Sequence, residues 1–361
     1  MNTYLLLLVS ISVLISLIGL LELKTKNNYY FASLLFIVSL FLVLALRPID
    51  YFADTHSYVS FYLSLPKHLD FSFTYGSFQQ GFVSFSQIIK VLSGKYYYLY
   101  FLAIIILNFS IIYYCLNEIL KLNIVNDTNV KMALLAALYF SYIGFMYNAI
   151  VLRGGIGISF ILLSIVFFLK RKYIISIIAL LIAISFHSSM FFGLFYIPIL
   201  LLNRRINSNI YYIVLTTLYI FSLIGISKFV VPNLNFIDAF FQDNIAKKDF
   251  NTYLIQENVN IKFSFSSLYL LLTSFVFVKY RINNYQYDKL LNIYIFGVVM
   301  HFLLYGSFSA LSRFTEIFTV VGFILVYIIL VKNKYKDKIL IYAVIYIIAN
   351  FLLFYRLGAR V

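Results

Sequence analysis

ALLAALYFSYIGFMYNAIVLRGGIGISFILLSIVFFL, residues Ala133–Leu169, is two apolar runs with a single charge between them. A helix needs ~20 predominantly apolar residues to cross ~30 Å of hydrocarbon, and each run approaches that length, so both read as membrane spans. Arg153, where the runs meet, is the costly residue: a charge in a membrane-embedded position persists where it lines a polar cavity and binds something. Three other places repeat the situation: the group Arg47, Asp50 and Asp54, His187 inside Ala179–Leu202, and Arg313 opening the run to Val331.

The rest of the chain carries the same signal. Of its 361 residues 63% are hydrophobic and 11% charged, against ~25% charged in a typical soluble domain, which excludes a soluble globular fold. Further spans are expected at Thr3–Leu21, Tyr29–Leu46, Tyr97–Leu116, Ile210–Val231, Ser264–Val278, Leu290–Tyr305, Phe314–Val331 and Ile339–Phe354. As one helix Tyr173–Leu202 would reach ~45 Å, too long for a single crossing without steep tilt, so it reads as two short spans meeting at His187, Ser188 and Ser189. The fold class is therefore an all-α polytopic membrane protein of about twelve transmembrane helices. No internal repeat and no linker divides the chain, so residues 1–361 read as one membrane domain. The N-terminal run has no basic leader and no small-residue cleavage site, and reads as a retained span.

Lys and Arg collect in short cytoplasmic loops. Lys24 and Lys26, Lys121 and Lys131, Lys170 to Lys172, Arg204 and Arg205, Lys279 to Lys289, and Lys332 to Lys338 stay in phase on one side only if Tyr173–Leu202 crosses twice. The two long loops, 48–96 and 232–263, then face outward together with Arg47, Asp54, Arg153, His187 and Arg313. The net charge of +15 is thereby an orientation signal and not a nucleic-acid stripe, since no basic helix or soluble domain carries one. Cys115, the single cysteine, excludes an intramolecular disulfide, and no metal-ligand spacing accompanies it. An outer carboxylate pair such as Asp50 and Asp54 could hold a divalent ion against phosphate, but no dense carboxylate cluster supports it; no metal site and no cofactor are expected.

In the first outer loop Phe78, Phe82, Phe85, Ile89 and Leu92 recur at alternating four- and three-residue steps, which predicts an amphipathic helix on the outer interface or capping the bundle. The second loop mixes Phe236, Phe240, Phe241, Phe250 and Tyr253 with Asp238, Asp243, Asp249 and Glu257, a combination that suits sugar rings, although an interfacial aromatic belt is the stronger reading for most of these residues individually.

The motifs resemble a known family. Arg47 followed by Asp54-Thr55-His56-Ser57-Tyr58 and Phe61 is similar to the Arg…Asp-x-x-x-Tyr-x-x-(Phe/Tyr) signature of the EpsG-like polysaccharide polymerases, a branch of the Wzy group. Leu152-Arg153-Gly154-Gly155-Ile156-Gly157-Ile158-Ser159, Ile184-Ser185-Phe186-His187-Ser188-Ser189 and Ser312-Arg313-Phe314 resemble later elements of that family in unchanged order. Two positions depart from the pattern: Gln79-Gln80-Gly81-Phe82 stands where a Glu usually precedes Gly-Phe, and Gly154 stands where Gln follows the central Arg.

The resemblance implies polymerisation of undecaprenyl-diphosphate-linked oligosaccharide repeat units on the outer face of the bacterial inner membrane, alongside a flippase and a chain-length regulator. The residue types suit that chemistry. Guanidinium groups stabilise a departing diphosphate bidentately, a role for Arg153 and Arg313, with Arg47 next. Asp54 or His187 serves as general base toward the acceptor hydroxyl, and Tyr58 and Gln80 are candidate sugar contacts. Each residue also has a plain structural use: His187 as a helix-end cap, Asp54 as the N-cap of Thr55–Leu65, Arg47 snorkelling to the headgroups. His301 is expected to be a hydrogen-bonded core histidine outside the site. Two other classes compete, a lipid-linked oligosaccharide flippase and a membrane O-acyltransferase; charges confined to one side and unlike halves argue against the first, an outward His187 against the second.

Overall fold

The computed structural model describes residues 3–25, 29–52, 54–76, 78–124, 129–202, 205–225, 264–304, 315–332 and 336–358. It is 83% helical with no strands among them. The second outer loop, 232–263, and Arg313 lie outside the described residues. Two compact units are present: Met1–Phe191 with Val326–Val361, and Phe192–Leu325.

The first unit begins with α1 (Thr3–Thr25), α2 (Tyr30–Ala45), α3 (Thr55–Ser64), α4 (Gln80–Ser93) and α5 (Tyr97–Ile119). It continues through α6 (Met132–Phe140), α7 (Ile143–Phe145) running into a π-helical turn (Met146–Ile150), α8 (Leu152–Leu169) and α9 (Tyr173–Phe186). A 3-10 helix, Ser188–Phe195, precedes α10 (Tyr196–Leu201), α11 (Ser208–Ile224), α12 (Phe265–Lys279), α13 (Tyr285–Leu304), α14 (Gly322–Lys332) and α15 (Lys336–Gly358).

Among the described residues five helices are long and apolar enough to cross a membrane: Thr3–Thr25, Tyr97–Leu122, Leu152–Leu169, Tyr285–Leu304 and Thr315–Lys332. A sixth is the pair Met132–Phe140 and Ile143–Ile150, bent by 72°, where the sequence reads as one straight span to Leu152. The other expected crossings coincide with apolar helices of only 10–17 residues, so helix length by itself supports five or six spans and not twelve. The interruption at His187 is present: its extended backbone, φ −155° and ψ 120°, ends α9.

Polar side chains tie the first unit together where apolar surfaces alone would let helices slide. Glu22 is fully buried, accepting from Ser33 Oγ of α2 at 2.9 Å and from Leu134 N of α6 at 3.4 Å. A Cβ on Gly19 would stand 2.8 Å from Leu134 Cα, so α1 meets the α6 backbone there. The N-terminal end of α6 also gives its Lys131 amide to Tyr327 Oη at 2.7 Å, and Asn350 Nδ2 reaches Ser141 Oγ at 3.2 Å. α8 and α9 form a hairpin through the basic turn Lys170–Lys172, with Arg171 at φ +61°, and Ser176 Oγ donates to Ser164 O at 2.8 Å.

Gly155 fixes how α8 begins. A Cβ there would lie 2.2 Å from the Tyr147 carbonyl oxygen and 3.0 Å from Asn108 Nδ2, and neither the π-helical turn nor the buried amide has room to yield. Gly155→Ala should therefore lower stability by ~2–3 kcal/mol, seen as a depressed melting temperature of detergent-purified protein; an unchanged melting curve would show that the π-helical turn shifts freely.

In the second unit α11, α12 and α13 pack on one another. Asp288 is buried with the Arg281 Nε at 2.5 Å, and Tyr211 hydrogen-bonds Asn292. His301, buried, pairs through Nε2 with Ser267 Oγ at 3.0 Å, in keeping with a core histidine.

Candidate functional site

Four segments of the first unit converge: the end of α2, the turn of α3, the entry to α4 and the start of α8. Arg153 is the second residue of α8, directly after the break at Val151. Its Nη1 donates to Gln79 Oε1 at 3.2 Å, and its guanidinium carbon stands 4.1 Å from the Phe78 ring centroid. Its charge also acts on the Tyr58 phenol. Burial pushes that phenol above its ordinary pKa with Arg153 pulling against it, so Tyr58 remains a protonated donor.

Arg47 does not snorkel. It is 1% exposed, stacked 3.8 Å above the Phe101 centroid, with Nη1 donating to the carbonyls of Leu44 at 3.2 Å and Asn148 at 2.9 Å. Its Nε and Nη2 are buried without a hydrogen-bond partner among the described residues. Burial pulls its pKa down to about 10, with Tyr4, Tyr100 and Tyr58 as the nearby groups opposing, so it is still a cation at neutral pH. Tyr100 lies in the electrostatic range of both Arg47 and Arg153.

The π-helical turn makes this seat. A π turn offsets the backbone ladder and leaves carbonyls to accept from other donors, a frequent device at functional sites. Asn148 is its hub: the backbone oxygen receives Arg47, while the side-chain amide binds Asn108 Nδ2 at 2.9 Å, Tyr139 Oη at 3.0 Å and Gly144 O at 2.7 Å.

Asp54 occupies the N-cap position of α3, yet its side chain makes no capping bond. It sits one turn before Tyr58, whose phenol feels its charge. His187 is half-buried beyond α9, with Nδ1 2.7 Å from Ser189 Oγ and 3.2 Å from Ser189 N. Gln79 joins this segment to Arg153, because its Nε2 donates to Ser188 Oγ at 3.3 Å. Gly81 permits the approach: a Cβ would stand 2.3 Å from Ser185 Oγ.

The structure thus brings Arg47, Arg153, Tyr58, Asp54 and, through Gln79, His187 into one region. Gln80 is turned elsewhere, its Nε2 donating to Phe71 O at 2.7 Å, so the neighbouring Gln79 and not Gln80 meets the central arginine. Phe101 and Asn148 are missing from the reading of the sequence, and Phe78 and Gln79, which stand there as part of an apolar stripe and as a departure from the family pattern, are not assigned to the site. Asn148 left a visible trace there, a polar residue inside an apolar run; Gln79 left one in the Gln79-Gln80-Gly81-Phe82 departure, where Gln80 reads as the contact. Among the described residues no group of three or more His, Cys, Asp or Glu could hold a metal ion. Two cations, a phenol donor and aromatic faces can bind a ligand with several anionic oxygens and a ring to stack.

The sequence profile of the EpsG family matches residues 29–359. The chain belongs to the EpsG family. The match contains every residue of the region just described, and Arg313. Members of the EpsG family are Wzy-like polysaccharide polymerases, associated with glycosyl transfer in polysaccharide biosynthesis. The apolar helices fit a multi-pass membrane protein, as the EpsG family implies. No curated protein and no solved structure matches this chain.

Proposed function

We propose that this EpsG family protein joins undecaprenyl-diphosphate-linked oligosaccharide repeat units into a surface polysaccharide, by glycosyl transfer on the outer face of the bacterial inner membrane. The observation that carries the reading is the half-buried Arg153 standing over Phe78, whose ring lies 6.0 Å from that of Tyr58, with the buried Arg47 held by the Asn148 carbonyl in the turn that leads into α8. A diphosphate leaving an anomeric carbon gathers negative charge, and preorganised guanidinium and phenol donors in a low-dielectric site stabilise that charge as it develops. Arg153 receives the diphosphate from the open side and Arg47 supports it from within, while Phe78 offers a face to the sugar. Asp54, with its carboxylate not engaged in capping, takes the proton of the acceptor hydroxyl.

Sidedness draws support from α8. Arg153 stands at one end and Lys170 at the other, ~26 Å apart by helix rise, and Lys170 is paired with Glu118 at that basic end. Basic turns mark the cytoplasmic side, which leaves Arg153 outside.

Purified protein in liposomes with synthetic lipid-linked repeat units tests the reading: longer chains and free undecaprenyl diphosphate should form together. Asp54→Asn should lower the rate about 10²-fold with the substrate still bound, since the amide keeps the shape and cannot take the proton. Transport of the lipid-linked unit across the bilayer without a new glycosidic bond would replace this function by translocation.

A further inference from the structure

His187 sits in extended backbone between α9 and the 3-10 helix, so its ring folds onto the first turn that follows. The Ser189 backbone N–H points at Nδ1 at 3.2 Å, and the Ser189 hydroxyl lies 2.7 Å from the same nitrogen. A peptide N–H can only donate. The ring nitrogen that receives it must present a lone pair, and a neutral imidazole with its lone pair at Nδ1 carries its one proton on Nε2. Protonating Nδ1 as well would set two N–H groups against each other and expel the amide from the ring.

We propose that His187 is a hydrogen-bond donor through Nε2 to an anionic oxygen of the bound ligand, and not the group that accepts the hydroxyl proton. The proposal rests on the polymerase reading, within which it assigns proton uptake to Asp54 alone. The acceptor hydroxyl oxygen forms its bond to the anomeric carbon as the bond from that carbon to the diphosphate oxygen breaks. The electron pair leaves on the diphosphate, the hydroxyl proton passes to the Asp54 carboxylate, and His187 ends the step with the one proton it began with. Gln79 places this donor in the same frame as the guanidinium, because one amide holds Arg153 through Oε1 and the residue after His187 through Nε2. His187 and Arg153 are then donors to one leaving group, contributed by different helices.

Two measurements decide it. The chain has four histidines, so nitrogen-15 spectra of histidine-labelled full-length protein in lipid, with His187→Gln identifying the resonance, report which ring nitrogen is protonated. A proton on Nε2 with Nδ1 bare is expected; a proton on Nδ1 overturns the proposal. Polymerisation by His187→Gln and His187→Glu at equal protein level reads the role. The Gln amide supplies an N–H near the place of Nε2 whereas Glu supplies only an acceptor, so Gln should exceed Glu at least tenfold. Glu equal to or above Gln overturns the donor role. If Arg153→Ala polymerises normally as well, the polymerase reading of the region fails, while the nitrogen spectra still decide the tautomer.

Discussion

Arg153→Ala should lower chain extension about 10³-fold, the upper range for removing one preorganised donor from a developing oxyanion, and Arg153→Lys should recover little of it. The side chain makes two contacts that need a planar fork, an edge to Gln79 Oε1 at 3.2 Å and a face on Phe78 at 4.1 Å, and its charge reaches the Tyr58 phenol. An ammonium can meet one of these and cannot grip two phosphate oxygens in a plane. Single repeat units should accumulate on the lipid carrier while long polymer disappears from gels, with the protein at wild-type abundance in the membrane. Normal long chains from Arg153→Ala would remove the residue from the chemistry.

Arg47→Met should have the opposite signs in two assays. The guanidinium is buried with two of its three nitrogens unpartnered among the described residues, an arrangement that costs folding energy. Apolar replacement of buried charge is often neutral or stabilising by ~1–4 kcal/mol, and Met fills a similar volume over Phe101. The melting temperature should be no lower than wild type, although Leu44 and Asn148 lose a donor, while chain extension falls about 10²-fold. A protein that is both destabilised and active would make Arg47 a structural strut.

The basic loops, the break at His187 and the cluster of Arg47, Asp54, Tyr58 and Arg153 were legible because each is a polar exception in an apolar chain. Residues that hold those exceptions were harder to see. On α4 the expected apolar stripe faces partly outward: Leu92 is 82% exposed, whereas Gln87 and Lys90 are buried. In water an apolar stripe marks the inside; beside lipid it need not. Gln87 is drawn in because its amide closes on Asp70, donating to its carbonyl at 2.8 Å and accepting from its N–H at 3.2 Å, and Lys90 reaches the Tyr62 carbonyl at 3.1 Å. Backbone partners of this kind leave no periodic trace. The bend of 72° after α6 was invisible for a related reason, since an apolar composition is shared by a straight span and a broken one.

The unit that holds the site takes its residues from both ends of the chain, and this has a consequence for biogenesis. At nine residues α6 rises ~13 Å, well short of the hydrocarbon, and a helix end at that depth needs protein partners for its amides. Glu22 supplies one for Leu134 and was synthesised earlier; Tyr327 supplies one for Lys131 and leaves the ribosome only after all of Phe192–Leu325. Until that last segment enters the membrane the nascent chain holds α6 with part of its polar edge uncapped. Insertion and assembly are thus separate events in this protein: the described residues of the arginine site are all made before Phe192, whereas the unit that holds them closes only after Phe192–Leu325 has been made.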